Sequence, residues 1–195
     1  MNGQLGLYGG SFDPPHRGHV ELAERAKVEL QLARLLVLVS ADPGHKRVDT
    51  PAELRLQLVR AAFPDDEVQL DPTPRTIDLL RAHPEWVDPI FLIGADEFRD
   101  FGHWKEPGAV LELARLAVAT RPGFPPGPLD AVLAELDRPD RVGFFAIDPL
   151  PISSRELRRR VAAGEDVSAD VPPAVVKLIR EAGLYARPSG YTGGA

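Results

Sequence analysis

Short apolar runs alternate with longer segments of helical period along this chain, and that alternation most narrows what it can fold into. Runs at Gln4–Tyr8, Arg34–Val39, Glu67–Leu70, Pro89–Gly94, Leu116–Thr120 and Val142–Ile147 predict strands. Between and after them, helical patterns run over His19–Leu30, Pro51–Ala62, Thr76–His83, Gly108–Ala114, Leu129–Leu136, Ser154–Ala163 and Pro173–Ala182. Strand–helix alternation predicts an α/β fold: one doubly wound, mostly parallel sheet with helices on both faces. Ligands of such sheets bind outside the carboxyl ends of the strands, where the strand order reverses. The residues that follow strands are therefore the ones to read for chemistry.

The 195 residues suit one domain, expected over 1–186, with 187–195 as a flexible tail and 122–128 as a proline-rich surface loop. Cysteine is absent, which excludes disulfides, thiolate metal sites and a thiol nucleophile. The first residues lack the basic start and apolar run of a secretory leader, and no stretch approaches the length of a membrane span. A cytoplasmic protein is expected, with no membrane partner. The net charge of −6 argues against a nucleic-acid surface but leaves room for a small anionic substrate held by local positive charge.

The first strand ends in Gly9-Gly10-Ser11-Phe12-Asp13-Pro14-Pro15-His16-Arg17-Gly18-His19. Glycines 9 and 10 let backbone approach a ligand, and Gly18 opens a helix whose amides and dipole favour phosphate. His16 and His19, three apart at a helix start, project to one side and can face charge developing on a phosphoryl group. The segment is neither a Walker loop nor a dinucleotide fingerprint. A generic tight turn would also explain the glycines and prolines. A metal site from Asp13, His16 and His19 is a workable ligand set as well.

Near the other end, Ile152-Ser153-Ser154-Arg155-Glu156-Leu157-Arg158 opens a helix after the last strand. Ser153 or Ser154 reads structurally as an N-cap. Functionally, the same hydroxyls and amides can hold phosphate, with Arg158 one turn on reaching the same anion. Arg159 and Arg160 lie elsewhere around the helix and read as solvated. Lys46 follows the second strand. Thr76 reads as a helix cap with Asp78 in the first turn, Gly94 and Asp96 follow the fourth strand, and Arg121 follows the fifth. Asp96 can accept from ribose hydroxyls, Trp104 offers a flat face for an aromatic ring, and Lys105 beside it would suit an acid.

Gly10, Phe12, Pro14, His16, Gly18 and His19 fill every fixed position of a Gly-x-Phe-x-Pro-x-His-x-Gly-His pattern. That run resembles the signature of the nucleotidyltransferase superfamily, related to class I aminoacyl-tRNA synthetases. Ile152, Ser153, Ser154 and Arg158 are similar to its triphosphate-gripping motif, with Arg155 where threonine is common. The segments at Lys46, Arg75-Thr76-Ile77-Asp78, Gly94-Ala95-Asp96 with Trp104, Arg121-Pro122-Gly123 and the ending Gly183-Leu184-Tyr185 resemble bacterial nicotinate mononucleotide adenylyltransferases. Gly44 stands where that family has a second proline, and Arg75 where it has tyrosine.

The resemblance implies a Rossmann-like nucleotidyltransferase fold and transfer of adenylate from ATP to nicotinate mononucleotide in NAD biosynthesis. It implies ATP contacts from Gly9, Gly10, Ser11, Phe12, His16, Gly18, His19, Gly94, Asp96, Ser153, Ser154 and Arg158, with His16, His19 and Arg158 catalytic. Lys46, Thr76, Asp96, Trp104, Lys105 and Arg121 would take the mononucleotide. Magnesium is expected on the ATP phosphates rather than in a protein metal site. A nicotinamide-using or dual-specific enzyme, and a sensor that binds nucleotide without turnover, are the alternatives; a homo-oligomer is allowed.

Overall fold

Six strands form one sheet in the order β3-β2-β1-β4-β5-β6, and every pairing between them is parallel. The computed structural model describes residues 3–43, 48, 50–121, 127–148 and 150–186. The strands are β1 Gln4–Gly10, β2 Leu32–Ser40, β3 Glu67–Asp71, β4 Ile90–Gly94, β5 Arg115–Thr120 and β6 Val142–Ala146. The helices are α1 Arg17–Glu29, α2 Ala52–Ala62, α3 Thr76–Ala82, α4 Ala95–Arg99, α5 Pro107–Leu113, α6 Gly127–Ala134, α7 Ser154–Ala162 and α8 Pro173–Glu181. No helix among the described residues is long and apolar enough to cross a membrane.

Strand periodicity divides the core into two layers. Tyr8, Val37, Val39, Leu92 and Ala117 face the layer under α1, α2 and α8, while Leu7, Leu36, Leu38, Phe91 and Ile93 face the layer under α3, α4 and α5. Strands covered on both faces read as continuous apolar runs, which is why they were legible as short hydrophobic blocks.

The fold corrects several expectations. The expected doubly wound sheet is present, with every pairing parallel, and the differences lie in the element ends. β1 runs on through Gly9 and Gly10, which pair with Leu38 and Val39. Helix α1 starts at Arg17 with His16 as its N-cap, so Gly18 lies inside the helix instead of opening it. Arg75, not Thr76, caps α3, and no side chain supplies the cap bond. Gly127 and Pro128 belong to α6 rather than to the expected loop, whose residues 122–126 lie outside the described residues, as does the tail 187–195. Helix α4 was not read from the sequence: five residues are too few to show a helical period.

The strand order reverses between β1 and β4. From β1 the chain turns to α1 on one face, and from β4 it turns to α4 on the other. The two connections diverge and open a crevice at the carboxyl ends of these strands.

Candidate functional site

The loop after β1 is shaped by its own aromatic residue. Phe12 is 2% exposed and adopts a left-handed φ of 47°. That conformation costs a non-glycine residue on the order of 1 kcal/mol, which burial of the ring offsets. The ring lies edge-on to Tyr8 at 5.3 Å and to His19 at 5.0 Å. A Cβ on Gly10 would sit 2.9 Å from it, so glycine there makes room for Phe12.

His16 and His19 then stack, with ring centroids 3.7 Å apart and planes 19° apart. The His16 backbone N–H donates to Nδ1 of His19 at 3.2 Å, which assigns the His19 proton to Nε2 when the ring is neutral. His16 is 7% exposed, and a Cβ on Gly18 would lie 3.1 Å from its Nδ1. Burial, helped by the charge of Arg121 and opposed by Asp170, pushes the His16 pKa down to about 4. His16 is thus a neutral donor near pH 7, not a fixed positive charge.

That shift makes the stability of the fold depend on pH. The unfolded imidazole titrates near pH 6.5 and the folded one near 4, so between those values the unfolded chain binds more protons. The contribution is complete above pH 6.5 and is lost as pH falls to 4, to a total of about 3 kcal/mol. Urea unfolding of wild type and His16→Asn across this range should show the extra slope in wild type alone. Equal slopes would remove His16 as its source.

Helix α7 closes the other side of the loop. Ser153 caps it, its Oγ accepting from the Glu156 N–H at 3.2 Å. Ser154 Oγ donates to the Pro14 carbonyl at 2.8 Å, and Arg158 Nη1 donates to the Asp13 carbonyl at 2.6 Å. The two motifs, far apart in sequence, therefore meet at one loop. Of the two arginines left open by the sequence, Arg158 reaches the loop and Arg155 is exposed. Arg160 is not simply solvated: it bonds the carboxylate of Asp170 and the carbonyl of Asp166, and the Asp170 carbonyl accepts from Arg17 N–H at 2.8 Å.

Beneath the loop lies a buried polar group, of which sequence reasoning missed Arg55. The Tyr185 hydroxyl donates to Asp13 Oδ1 at 2.6 Å, and burial pushes that phenol's pKa up, keeping it a donor. Asp13 is 2% exposed, and its other oxygen stands 3.9 Å from Arg158 Nη1. Arg55 is 1% exposed and donates to the carbonyls of Thr50, Ser11, Ser40 and Ala41 at 2.8 to 3.1 Å. Its signal was available in the sequence: Arg55 shares the apolar stripe of α2 with Leu58, Val59 and Ala62, where a charge has no reason to be unless it is bonded.

Next to the loop opens a cleft of about 690 Å³ whose walls include Gly9, Gly10, Ser11, Thr76, Asp96 and Trp104. Trp104 is half-buried and stands edge-on to Phe91 at 6.2 Å and to Phe101 at 5.3 Å, which holds its ring at the cleft wall. Asp96 is exposed and pairs with Arg99 at 3.2 Å. A Cβ on Gly94 would meet only open space, so protein packing does not demand glycine there. Lys105 also lines the cleft, but its Nζ donates to Asp78 at 2.8 Å. Arg121 acts electrostatically on His16, which places it on the loop side of the site. Lys46 lies outside the described residues.

Residues 7–160 match the cytidylyltransferase-like family. Curated proteins named "Probable nicotinate-nucleotide adenylyltransferase" from Thermomicrobium roseum and Thermus thermophilus are 36% and 39% identical to this chain. Both alignments cover 93% of this chain, and they cover 91% and 99% of the relatives. Among solved structures, Plasmodium falciparum nicotinic acid mononucleotide adenylyltransferase complexed with NaAD superposes with a TM-score of 0.75. That match spans 94% of this chain and 98% of the other at 19% identity, and so speaks for the fold. With the family match spanning most of the chain and relatives aligned over nearly their whole length, the chain belongs to the cytidylyltransferase-like family and, within it, to the nicotinate-nucleotide adenylyltransferases.

Proposed function

We propose that this cleft transfers adenylate from ATP to nicotinate mononucleotide, giving nicotinate adenine dinucleotide and pyrophosphate in NAD biosynthesis. The observation that carries the reading is the meeting of His16, His19, Ser154 and Arg158 around one loop, beside a cleft walled by Trp104.

The attacking group is the phosphate oxygen of the mononucleotide, already ionised at neutral pH. It displaces pyrophosphate at the α-phosphorus, so neither a general base nor a covalent intermediate is needed. Alignment and charge stabilisation carry the catalysis. His16 and His19 donate N–H groups to the reacting phosphoryl oxygens, with Gly9, Gly10, Ser11, Phe12 and Gly18 shaping the backbone that receives ATP. Ser153, Ser154 and Arg158 hold the β- and γ-phosphates. Asp96 accepts from ribose, and Thr76 and Trp104 frame the pyridine ring.

No trio of His, Asp or Glu side chains suited to a metal converges among the described residues. Magnesium, held by ATP phosphates and water, would supply charge stabilisation for the leaving pyrophosphate.

Pyrophosphate release from ATP and magnesium, measured with nicotinate mononucleotide and in parallel with nicotinamide mononucleotide, tests the function. Release with the acid supports it; silence with both would overturn it. Trp104→Ala should raise the mononucleotide KM about tenfold or more while leaving the ATP KM within twofold, since stacking on a base-like ring contributes roughly 1–3 kcal/mol. Equal rises in both KM values would exclude stacking.

A further inference from the structure

The segment Gly183-Leu184-Tyr185 after α8 has no part in the chemistry proposed above, yet the fold delivers it to the loop that carries that chemistry. Helix α8 closes in a Schellman turn. The Gly183 N–H donates to the Arg180 carbonyl at 3.3 Å, and the Leu184 N–H to the Ile179 carbonyl at 3.0 Å. Gly183, at φ 60°, supplies the left-handed residue that this turn requires. Tyr185 follows at φ 64°, a conformation that disfavours any residue with a Cβ. The contacts of its side chain must therefore outweigh the backbone preference.

The strongest of those contacts is at the hydroxyl. A carboxylate only accepts, so the phenol proton goes to Asp13 Oδ1, at 2.6 Å. Asp13 is 2% exposed, and a carboxylate so buried needs its oxygens answered. Arg55 acts on it by charge but spends its donors on the carbonyls of Thr50, Ser11, Ser40 and Ala41. The second oxygen, Oδ2, has no hydrogen-bond partner among the described residues and stands 3.9 Å from Arg158 Nη1. That same Nη1 donates to the Asp13 carbonyl at 2.6 Å. One loop residue thus receives Tyr185 on one carboxylate oxygen and faces Arg158 with the other oxygen and with its backbone.

Arg158 is a long, half-buried side chain with many rotamers of its own, and a fixed charge near its tip narrows them. Where the tip settles depends on how the Asp13 carboxylate is turned, and Tyr185 sets that turn. Without the phenol, both oxygens would be open to Arg158, and a two-point ion pair would draw the guanidinium fork onto Asp13 and away from an incoming anion. On the reading that Arg158 grips the triphosphate of ATP, we infer that Tyr185 is a positioning residue for Arg158. It occupies one oxygen of Asp13, so that the carboxylate aims the guanidinium without capturing it.

The test is a double-mutant cycle on wild type, Tyr185→Phe, Arg158→Ala and the variant carrying both, each compared below its melting temperature. Tyr185→Phe keeps the ring and removes only the hydroxyl. It should lower kcat/KM for ATP about fivefold or more, and weaken the calorimetric Kd for ATP with magnesium by a similar factor. The mononucleotide KM should stay within twofold. In the Arg158→Ala background, adding Tyr185→Phe should change both ATP quantities less than about twofold, because the side chain it positions is gone. Equal losses in the two backgrounds would overturn the inference, since Tyr185 would then act on the loop as a whole. Unchanged ATP affinity in Tyr185→Phe, a parallel rise in the mononucleotide KM, or wild-type ATP affinity in Arg158→Ala would overturn it too. A wild type that binds ATP yet releases no pyrophosphate with either mononucleotide would sink the proposed function, while the ATP affinities of the four proteins would still decide the role of Tyr185.

Discussion

His19→Ala is expected to lower turnover about a hundredfold at saturating ATP and nicotinate mononucleotide while the fold survives. Removing one preorganised donor from a site of developing charge costs on the order of a hundredfold to a thousandfold in rate. His19 suits the test better than His16. It is half-buried at the third position of α1, whereas His16 is 7% exposed and its removal would disturb packing under the loop. His19→Ala also carries a stability cost that has to be separated from the chemistry. The His16 backbone N–H loses its Nδ1 acceptor, and the ring stack and the edge contact with Phe12 are lost, for about 2–3 kcal/mol in all. Turnover should be read beside the urea midpoint, so that chemistry and folding separate. Turnover within a few-fold of wild type, whatever the shift of the midpoint, would remove His19 from the reaction.

The two histidines illustrate what sequence could reveal and where it stopped. Their spacing and the surrounding glycines marked the loop, because backbone requirements at Gly10 and Gly18 are local. Their protonation was not legible, since it depends on burial of His16 and on the charges of Arg121 and Asp170, which only the fold brings near. The same division holds elsewhere. Trp104 was identified as a flat aromatic face and lies on the cleft wall, but the engagement of Lys105 by Asp78 crosses from one element to another and left no local trace. Ser153 fulfilled its capping pattern, whereas Thr76, chosen on the same grounds, did not: the chain turns helical one residue earlier than the threonine would require to act as a cap. The central strands were recognisable because both faces are buried, and the strand order came from topology alone.

Arg55→Met should destabilise the protein by about 3–5 kcal/mol, lowering the melting temperature by roughly 10 °C for a chain of this size. Methionine fills much of the arginine stem but donates nothing. The carbonyls of Ser11, Ser40, Ala41 and Thr50 would then be left together in a space from which water is largely excluded. Asp13 would also lose a nearby positive charge that balances it. The consequence extends to the site, because Ser11 follows β1 and Ser40 ends β2, and both line the cleft. One buried guanidinium thus fixes the spacing between the loop after β1, proposed to receive ATP, and the end of β2. Once it is lost, KM should rise for both substrates, since both walls relax, in contrast to the one-sided rise expected of Trp104→Ala. Arg55→Lys restores the charge but cannot reach carbonyls on separate segments with one ammonium, so it should recover only part of the stability and little of the KM. A loss below about 1 kcal/mol in Arg55→Met would mean that the freed carbonyls find water or other donors, and the clamp would then be incidental to the geometry of the cleft.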